Sequence, residues 1–365
     1  MSSLRLLADD LTGALDTSAE LVGKFGPLEV CWSISSISSI APDQPSFSID
    51  SGTRERAADD AFAIVQGLAP RLAGATTAYK KIDSLLRGHW AVELDACWQT
   101  GLWDACVLAP AFAYQGRRTI DGQQYARGAD GRWGAVGKNL VEQLHDRKLD
   151  ARRARPADGL RPGINVFDSE TDNDLDWVVQ AGQNYSGRVL WCGSGGLASA
   201  LARGADVWVS DRLKGPVLGV FGSDHRTTAL QLDACNAVVI PSADIERDID
   251  RIQRALEKGV AFVRLEAPDA HSRNDVAQHF SRQISRLSRL IDPPGSLVVA
   301  GGETVKAQMV AVEARALRPL GRLEPGIPKS VIEGGDWSGV EVVSKSGAFG
   351  AADVWAKLLK QNGLI

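Results

Sequence analysis

The stretch Tyr79–Glu93, YKKIDSLLRGHWAVE, gathers Lys80, Lys81 and Arg87 around Asp83 and Ser84, with His89 just beyond. Cations beside a carboxylate and a hydroxyl hold an anion in a defined orientation: ammonium and guanidinium groups neutralise its charge, while the carboxylate and hydroxyl bond its neighbouring hydroxyls. The whole chain carries a formal net charge of −4, so no global basic field draws in nucleic acid or a membrane surface. The anion site is therefore local. The cluster follows the small residues GATTA and stands at the end of a predicted strand.

Two further groups of polar residues stand at predicted strand ends. LRLLADDLTGALD puts Asp9 and Asp10 after the first strand, and IDSGTRERAADDA puts Asp50, Thr53 and Arg54 after another. Ligands of doubly wound folds sit outside the carboxyl ends of the strands. Carboxylates there can bind hydroxyls, take a proton or hold a metal, and Asp10 or Thr12 can also cap the helix that follows. Asp9 and Asp10 are adjacent, which excludes the spaced D-x-D pair of haloacid-dehalogenase-type phosphatases.

The elements that would position these residues alternate between short apolar runs and amphipathic stretches. Strands are predicted at 4–8, 29–34, 47–50, 76–82, 104–110, 188–193, 216–223, 236–240, 260–266 and 295–302. Helical patterns such as GALDTSAELVGKF and DIDRIQRALEKG lie between them. This spacing predicts an α/β fold of two domains, each a largely parallel sheet flanked by helices, with the active site in the interdomain cleft. The strand–loop–helix series restarts near SDRLKGP, which sets the expected domains at 1–212 and 213–365. Residues 114–135 read as a hairpin or functional loop, and 145–162 as a surface excursion or an interdomain crossing.

Three strand–glycine–helix turns are suited to phosphate, because the loop admits an anion to the backbone and the helix N-terminus offers free N–H groups. They are GVFGSDHRTTALQ, VVAGGETVKAQ and WCGSGGLASALA, and the glycine-rich KSGAFGAADVW follows late in the chain. No G-x-x-x-x-G-K-[ST] is present, so this is not a P-loop protein. GSGGLA, with Asp211 at a position for a ribose-binding acid, leaves open a dinucleotide-dependent oxidoreductase. The five scattered cysteines lack metal-ligand spacing and read as small buried hydrophobes of a reducing compartment. Neither a signal-peptide pattern nor an apolar run long enough for a membrane span is visible, and a cytoplasmic location is expected.

Taken in order, LADDLTGALD, DSGTR, YKKIDSLLRGHW, VLAPAFAYQGRRTIDG, GSGGLASALA, GVFGSDHRTTALQ, VVAGGET and KSGAFG resemble the four-carbon acid-sugar kinase family over nearly the whole chain. The resemblance implies ATP-dependent phosphorylation of a hydroxyl on a small sugar acid such as threonate, erythronate or 3-oxo-tetronate, with ATP and Mg2+. It implies that Asp9, Asp10, Arg54, Lys80, Lys81, Asp83 and Ser84 bind the acid, with Arg54 and Lys81 on its carboxylate. Asp10 or Asp83 would serve the reacting hydroxyl, Asp10 for preference as the base, and Arg87 would steady the loop or meet the transferred phosphoryl group. Ser223, Gly301, Gly302, Glu303, Thr304 and Gly347 would line the ATP site, with no protein metal ligand. The partners implied are a small-molecule acid, neither nucleic acid nor membrane, and self-association is left open.

The chain departs from the family pattern in three places. His89-Trp90 follows LRG where Asn is usual, PAFAYQGRRT differs from the common Pro-Ala-Asn-Gly-Arg form, and Asp224 to Thr228 replace the usual serine-containing segment. Substrate choice is therefore not copied from any one member, and a non-catalytic sugar-acid-binding protein stands as a further reading.

Overall fold

The computed structural model describes residues 2–128, 130–222, 225–267 and 272–365. The chain divides into two compact units, Met1–Val207 and Trp208–Ile365. The division precedes the expected 212/213 boundary because Trp208 is tied into the second unit: the Arg322 guanidinium lies 4.6 Å from its ring centre, and the Val209 N–H donates to the Arg322 carbonyl at 3.0 Å.

The first unit begins with β1 (Leu4–Ala8), α1 (Leu11–Phe25), β2 (Val30–Cys31), α2 (Ile34–Ser38), β3 (Phe47–Asp50) and α3 (Ala58–Leu68). Next come β4 (Thr77–Lys81), α4 (Trp90–Trp98), β5 (Ala105–Ala109), β6 (Arg117–Ile120), β7 (Gln123–Arg127), β8 (Trp133–Val136) and α5 (Leu140–Asp146). It closes with β9 (Ala151–Ala154), β10 (Gly163–Phe167), α6 (Asp172–Gln183), β11 (Val189–Gly193) and α7 (Gly195–Leu201). Its main sheet is parallel, in the order β2-β3-β1-β4-β11-β5-β10-β9. Strands such as LRLLA and ACVLA are apolar on both faces because helices cover both, and β5 is buried throughout. The chain runs from β1 to β3 on one side, then crosses to β4 on the other. That reversal opens a crevice at the carboxyl ends of β1 and β4, where Asp9, Asp10, Lys81 and Asp83 emerge.

The hairpin expected in residues 114–135 is present: β6 and β7 pair antiparallel, and β8 joins them to form a separate sheet. One expectation changes here. Residues 145–162 are neither an excursion nor a crossing: they hold the end of α5 and then β9, the edge strand of the main sheet. ARRA hides this strand because an edge position tolerates charge, and arginines there discourage further pairing.

The second unit contains β12 (Val217–Phe221), α8 (Arg226–Asp233), β13 (Val239–Ser242), α9 (Ile245–Glu257), β14 (Val260–Leu265) and α10 (Arg273–Leu290). After them come β15 (Ser296–Ala300), α11 (Gly302–Ala311), β16 (Ala316–Glu324), β17 (Ile327–Glu333), β18 (Glu341–Lys345) and α12 (Val354–Gln361). Strands β13, β14, β12, β15 and β18 lie parallel in that order, and β17 and β16 continue antiparallel. Phe221, Phe262, Val298, Val343, Trp355 and Leu359 form its core. Here the chain reverses between β12 and β15, so the turns at Gly222 and Gly301 meet at the crevice end. The five cysteines are buried, and none forms a disulfide. Among the described residues no helix is long and apolar enough to cross a membrane.

Candidate functional site

In the first unit, Asp10 caps α1. Its Oδ1 accepts from the Gly13 N–H at 2.9 Å and its Oδ2 from the Thr12 hydroxyl at 2.6 Å. Arg54 arrives from the turn after β3. Its Nε and Nη2 donate to both oxygens of Asp9 at 2.7 and 2.8 Å, while Nη1 lies 2.6 Å from Asp10 Oδ2. Nη2 also faces Asp83 Oδ1 at 3.9 Å. Three acids thus surround one guanidinium, which stays charged because their attraction outweighs the cost of burial. Asp9 is 3% exposed and both its oxygens are engaged, so its role here is to hold Arg54.

Asp83 binds Arg87 in a fork, with Nε to Oδ2 and Nη2 to Oδ1 both at 2.8 Å, and the Leu85 and Arg87 amides add to Oδ2. Burial works against its ionisation, but Arg87 and Arg54 hold the carboxyl well below the usual carboxylate range. An acid held so low is a weak base. Gly88, at φ +76°, lets this turn pass close to Arg54: a Cβ there would lie 3.3 Å from Arg54 Cα.

Lys80 does not join the cluster. Side chains alternate along a strand, so Lys80 and Lys81 leave β4 on opposite faces. The Lys80 ammonium is fully buried, 2.6 Å from Glu93 Oε2, and Glu93 Oε1 accepts from the Thr53 hydroxyl at 2.7 Å. Lys80 therefore braces the turn that carries Arg54 and is sealed from any ligand. His89 lies with Nε2 2.7 Å from the Arg56 carbonyl and steadies the same turn.

Two groups remain uncommitted. The Lys81 ammonium and the Ser84 hydroxyl have no hydrogen-bond or ion-pair partner among the described residues, although both residues are at least nine-tenths buried. Lys81 Nζ lies over the first turn of α1, where a Cβ on Gly13 would come within 2.7 Å of it and 2.6 Å of Asp10 Oδ1. A side chain at position 13 would have to displace the ammonium and the carboxylate.

Asp16, one turn further along α1, was not foreseen. Its Oδ1 accepts from the Thr17 hydroxyl at 2.9 Å, and burial lifts its pKa from 3.8 to about 6 against the pull of Lys81. The unfolded chain ionises this carboxyl near 3.8 and the folded chain near 6, so stability falls as pH rises between those values. Asp16→Asn is expected to stabilise the fold by about 2–3 kcal/mol at pH 7.5 and to have little effect at pH 4. Paired urea denaturation curves at the two pH values check this; equal effects at both would contradict it.

In the second unit, Gly301 caps α11 at φ +97°, a conformation that favours glycine, and its N–H donates to the Lys345 carbonyl at 2.9 Å. Gly302 and Glu303 open the helix and Thr304 is buried, with a Cβ on Gly222 lying 3.1 Å from its hydroxyl. The Thr228 hydroxyl donates to the Gly347 carbonyl at 3.1 Å, and Gln231 Nε2 donates to the carbonyls of Phe349, Gly350 and Ala351. The turns after β12, β15 and β18 are thus joined. Ser223 and Asp224 lie outside the described residues.

The glycines of GSGGLA serve packing. A Cβ on Gly193 would meet the Ala109 carbonyl at 2.5 Å, and one on Gly196 the Ala111 carbonyl at 2.3 Å. Ser194 caps α7 and donates to the Ala111 carbonyl. This turn is closed by the protein itself, which removes the basis for a dinucleotide there.

One α/β unit thus carries a crevice of acids and cations at its strand ends, and the other joins glycine turns at its own. Residues 4–143 match the model of a sugar-binding N-terminal domain, and residues 218–354 that of a nucleotide-binding C-terminal domain. A D-threonate kinase of Bordetella bronchiseptica is 30% identical over 96% of this chain and 95% of its own, and one of Salmonella typhimurium is 27% identical over 95% of each. A Haemophilus influenzae crystal structure superposes with a TM-score of 0.72 at 17% identity, covering 98% of this chain and all of the other, and supports the fold. The chain belongs to the four-carbon acid-sugar kinase family and is a sugar-acid kinase.

Proposed function

We propose that the enzyme transfers the γ-phosphoryl group of ATP to a hydroxyl of a four-carbon sugar acid, D-threonate foremost. The observation that carries this reading is the pair of uncommitted groups, Lys81 and Ser84, beside carboxylates already fixed by arginines. Lys81 takes the substrate carboxylate, which gives the buried ammonium the direct ion-pair partner it lacks among the described residues. Ser84 bonds a substrate hydroxyl. Arg54 was expected to grip the carboxylate, but its fork is filled by Asp9 and Asp10, so its role is to hold Asp10 in place.

Asp10 is the most exposed of the three acids around Arg54 and the one assigned to the reacting hydroxyl. It accepts the proton as the hydroxyl oxygen bonds to the γ-phosphorus, while the bond from that phosphorus to the β–γ bridging oxygen breaks and ADP leaves. The amides of the Gly301–Thr304 turn and of Gly347 receive the phosphates. Among the described residues no cluster of three or more His, Cys, Asp or Glu side chains is placed for a metal. These residues do not fit a resident metal site; Mg2+ would arrive on the nucleotide, held mainly by phosphate oxygens.

The substrate is tested by ADP release with D-threonate, L-threonate, D-erythronate and 3-oxo-tetronate as acceptors. D-Threonate is expected to give the highest kcat/KM. Turnover of another acid at a kcat/KM ten times higher would reassign the substrate, and none with any acid would remove the reading.

A further inference from the structure

Lys345 ends β18 and is 1% exposed, yet no acid pairs with it among the described residues. Its ammonium lies 5.8 Å from the centre of the Trp355 ring and donates to the carbonyls of Ser346 at 3.0 Å and Gly347 at 3.3 Å. The Gly347 carbonyl also takes the Thr228 hydroxyl, and the Ser346 carbonyl takes the Phe349 N–H at 3.1 Å. In a trans peptide the C=O and N–H point in opposite directions. Two carbonyls drawn toward one ammonium therefore turn the N–H groups of Gly347 and Ala348 away from it. Those two amides donate to no other described residue, and both residues are half-buried. Lys345 also accepts the Gly301 N–H on its own carbonyl, so one residue joins two glycine turns.

We propose that Lys345 is a positioning residue for the nucleotide phosphates: it fixes the Ser346 and Gly347 carbonyls inward and so presents the Gly347 and Ala348 amides as an anion-binding pair. This rests on the nucleotide reading of the second unit. Successive outward amides form a concave anion site only while their peptide planes are held, because a flipped plane would turn a carbonyl dipole against the phosphate. Burial alone draws the Lys345 pKa down to about 7, as befits a cation whose counter-charge comes from a ligand.

The test is calorimetric titration of the full chain with ADP and, separately, with adenosine, which has no phosphate. Lys345→Met is expected to weaken ADP binding by about 10- to 100-fold and adenosine binding by less than about 2-fold. Thr228→Val removes the second donor to Gly347 and is expected to weaken ADP alone, by about 3- to 10-fold. It carries the test should Lys345→Met not fold. Unchanged ADP binding in the folded variant, or equal losses for ADP and adenosine, would overturn the inference. A wild-type chain that binds neither ligand would instead overturn the nucleotide reading beneath it.

Discussion

Lys81→Met is expected to raise the KM for the sugar acid by about 10²- to 10³-fold, with the KM for ATP changed by less than about 3-fold. The magnitude follows from leaving one partner of a desolvated charge pair without the other, which costs about 3–5 kcal/mol. Lys81 is 5% exposed and makes no hydrogen bond or ion pair among the described residues, so a substrate carboxylate would give its ammonium a direct partner. Methionine keeps the length of the stem along β4 and removes only the ammonium, and the fold should persist because no ion pair within the protein is broken. Initial-rate kinetics with each substrate varied in turn make the check. An unchanged KM for the acid would take Lys81 out of the carboxylate site.

Asp10→Asn is expected to lower kcat by about 10²- to 10³-fold while the KM for the acid moves by less than about 5-fold. The substitution separates two roles. Asparagine caps helices about as well as aspartate, so its side-chain oxygen still accepts the Gly13 N–H. Arg54 keeps both bonds to Asp9. What is lost is the carboxylate charge: an oxygen that takes up a proton, together with its ion pair to Arg54 Nη1. Unchanged kcat in a folded variant would remove Asp10 from the role of base, and Asp83 is a poor replacement because Arg87 and Arg54 keep its carboxyl so acidic.

Much of this site was legible because strand ends are where doubly wound folds place ligands. Apolar runs marked β1, β4, β12 and β15, and the residues just after them could be read in order. Strand 29–34 shortened to Val30–Cys31 because Ser33 begins a capping box that starts α2 instead. The hairpin of β16 and β17 was missed because Pro319 and Pro328 interrupt its pattern, and prolines lower the expectation of a strand. Lys80 and Lys81 were grouped because they are neighbours in sequence, although alternation along a strand was enough to separate them.

Other features depended on contacts that no local pattern encodes. Glu93 stood in the first stretch singled out, but its pairing with Lys80 and Thr53 depends on α4 packing beside the β3 turn. The capture of Arg54 by Asp9 joins residues 45 apart in sequence and reverses the part expected of that arginine. Asp16 carried a weak signal, since its i+3 spacing from Gly13 puts both on one face of α1. The sequence KSG held a cue for Lys345 in the same way, a lysine directly before a glycine turn.

The most direct test is 31P NMR of the purified enzyme with ATP, Mg2+ and D-threonate. A new phosphomonoester resonance is predicted, growing by one equivalent for each ATP consumed and absent when the acid is omitted. Release of inorganic phosphate without any phosphomonoester would contradict transfer to a sugar-acid hydroxyl.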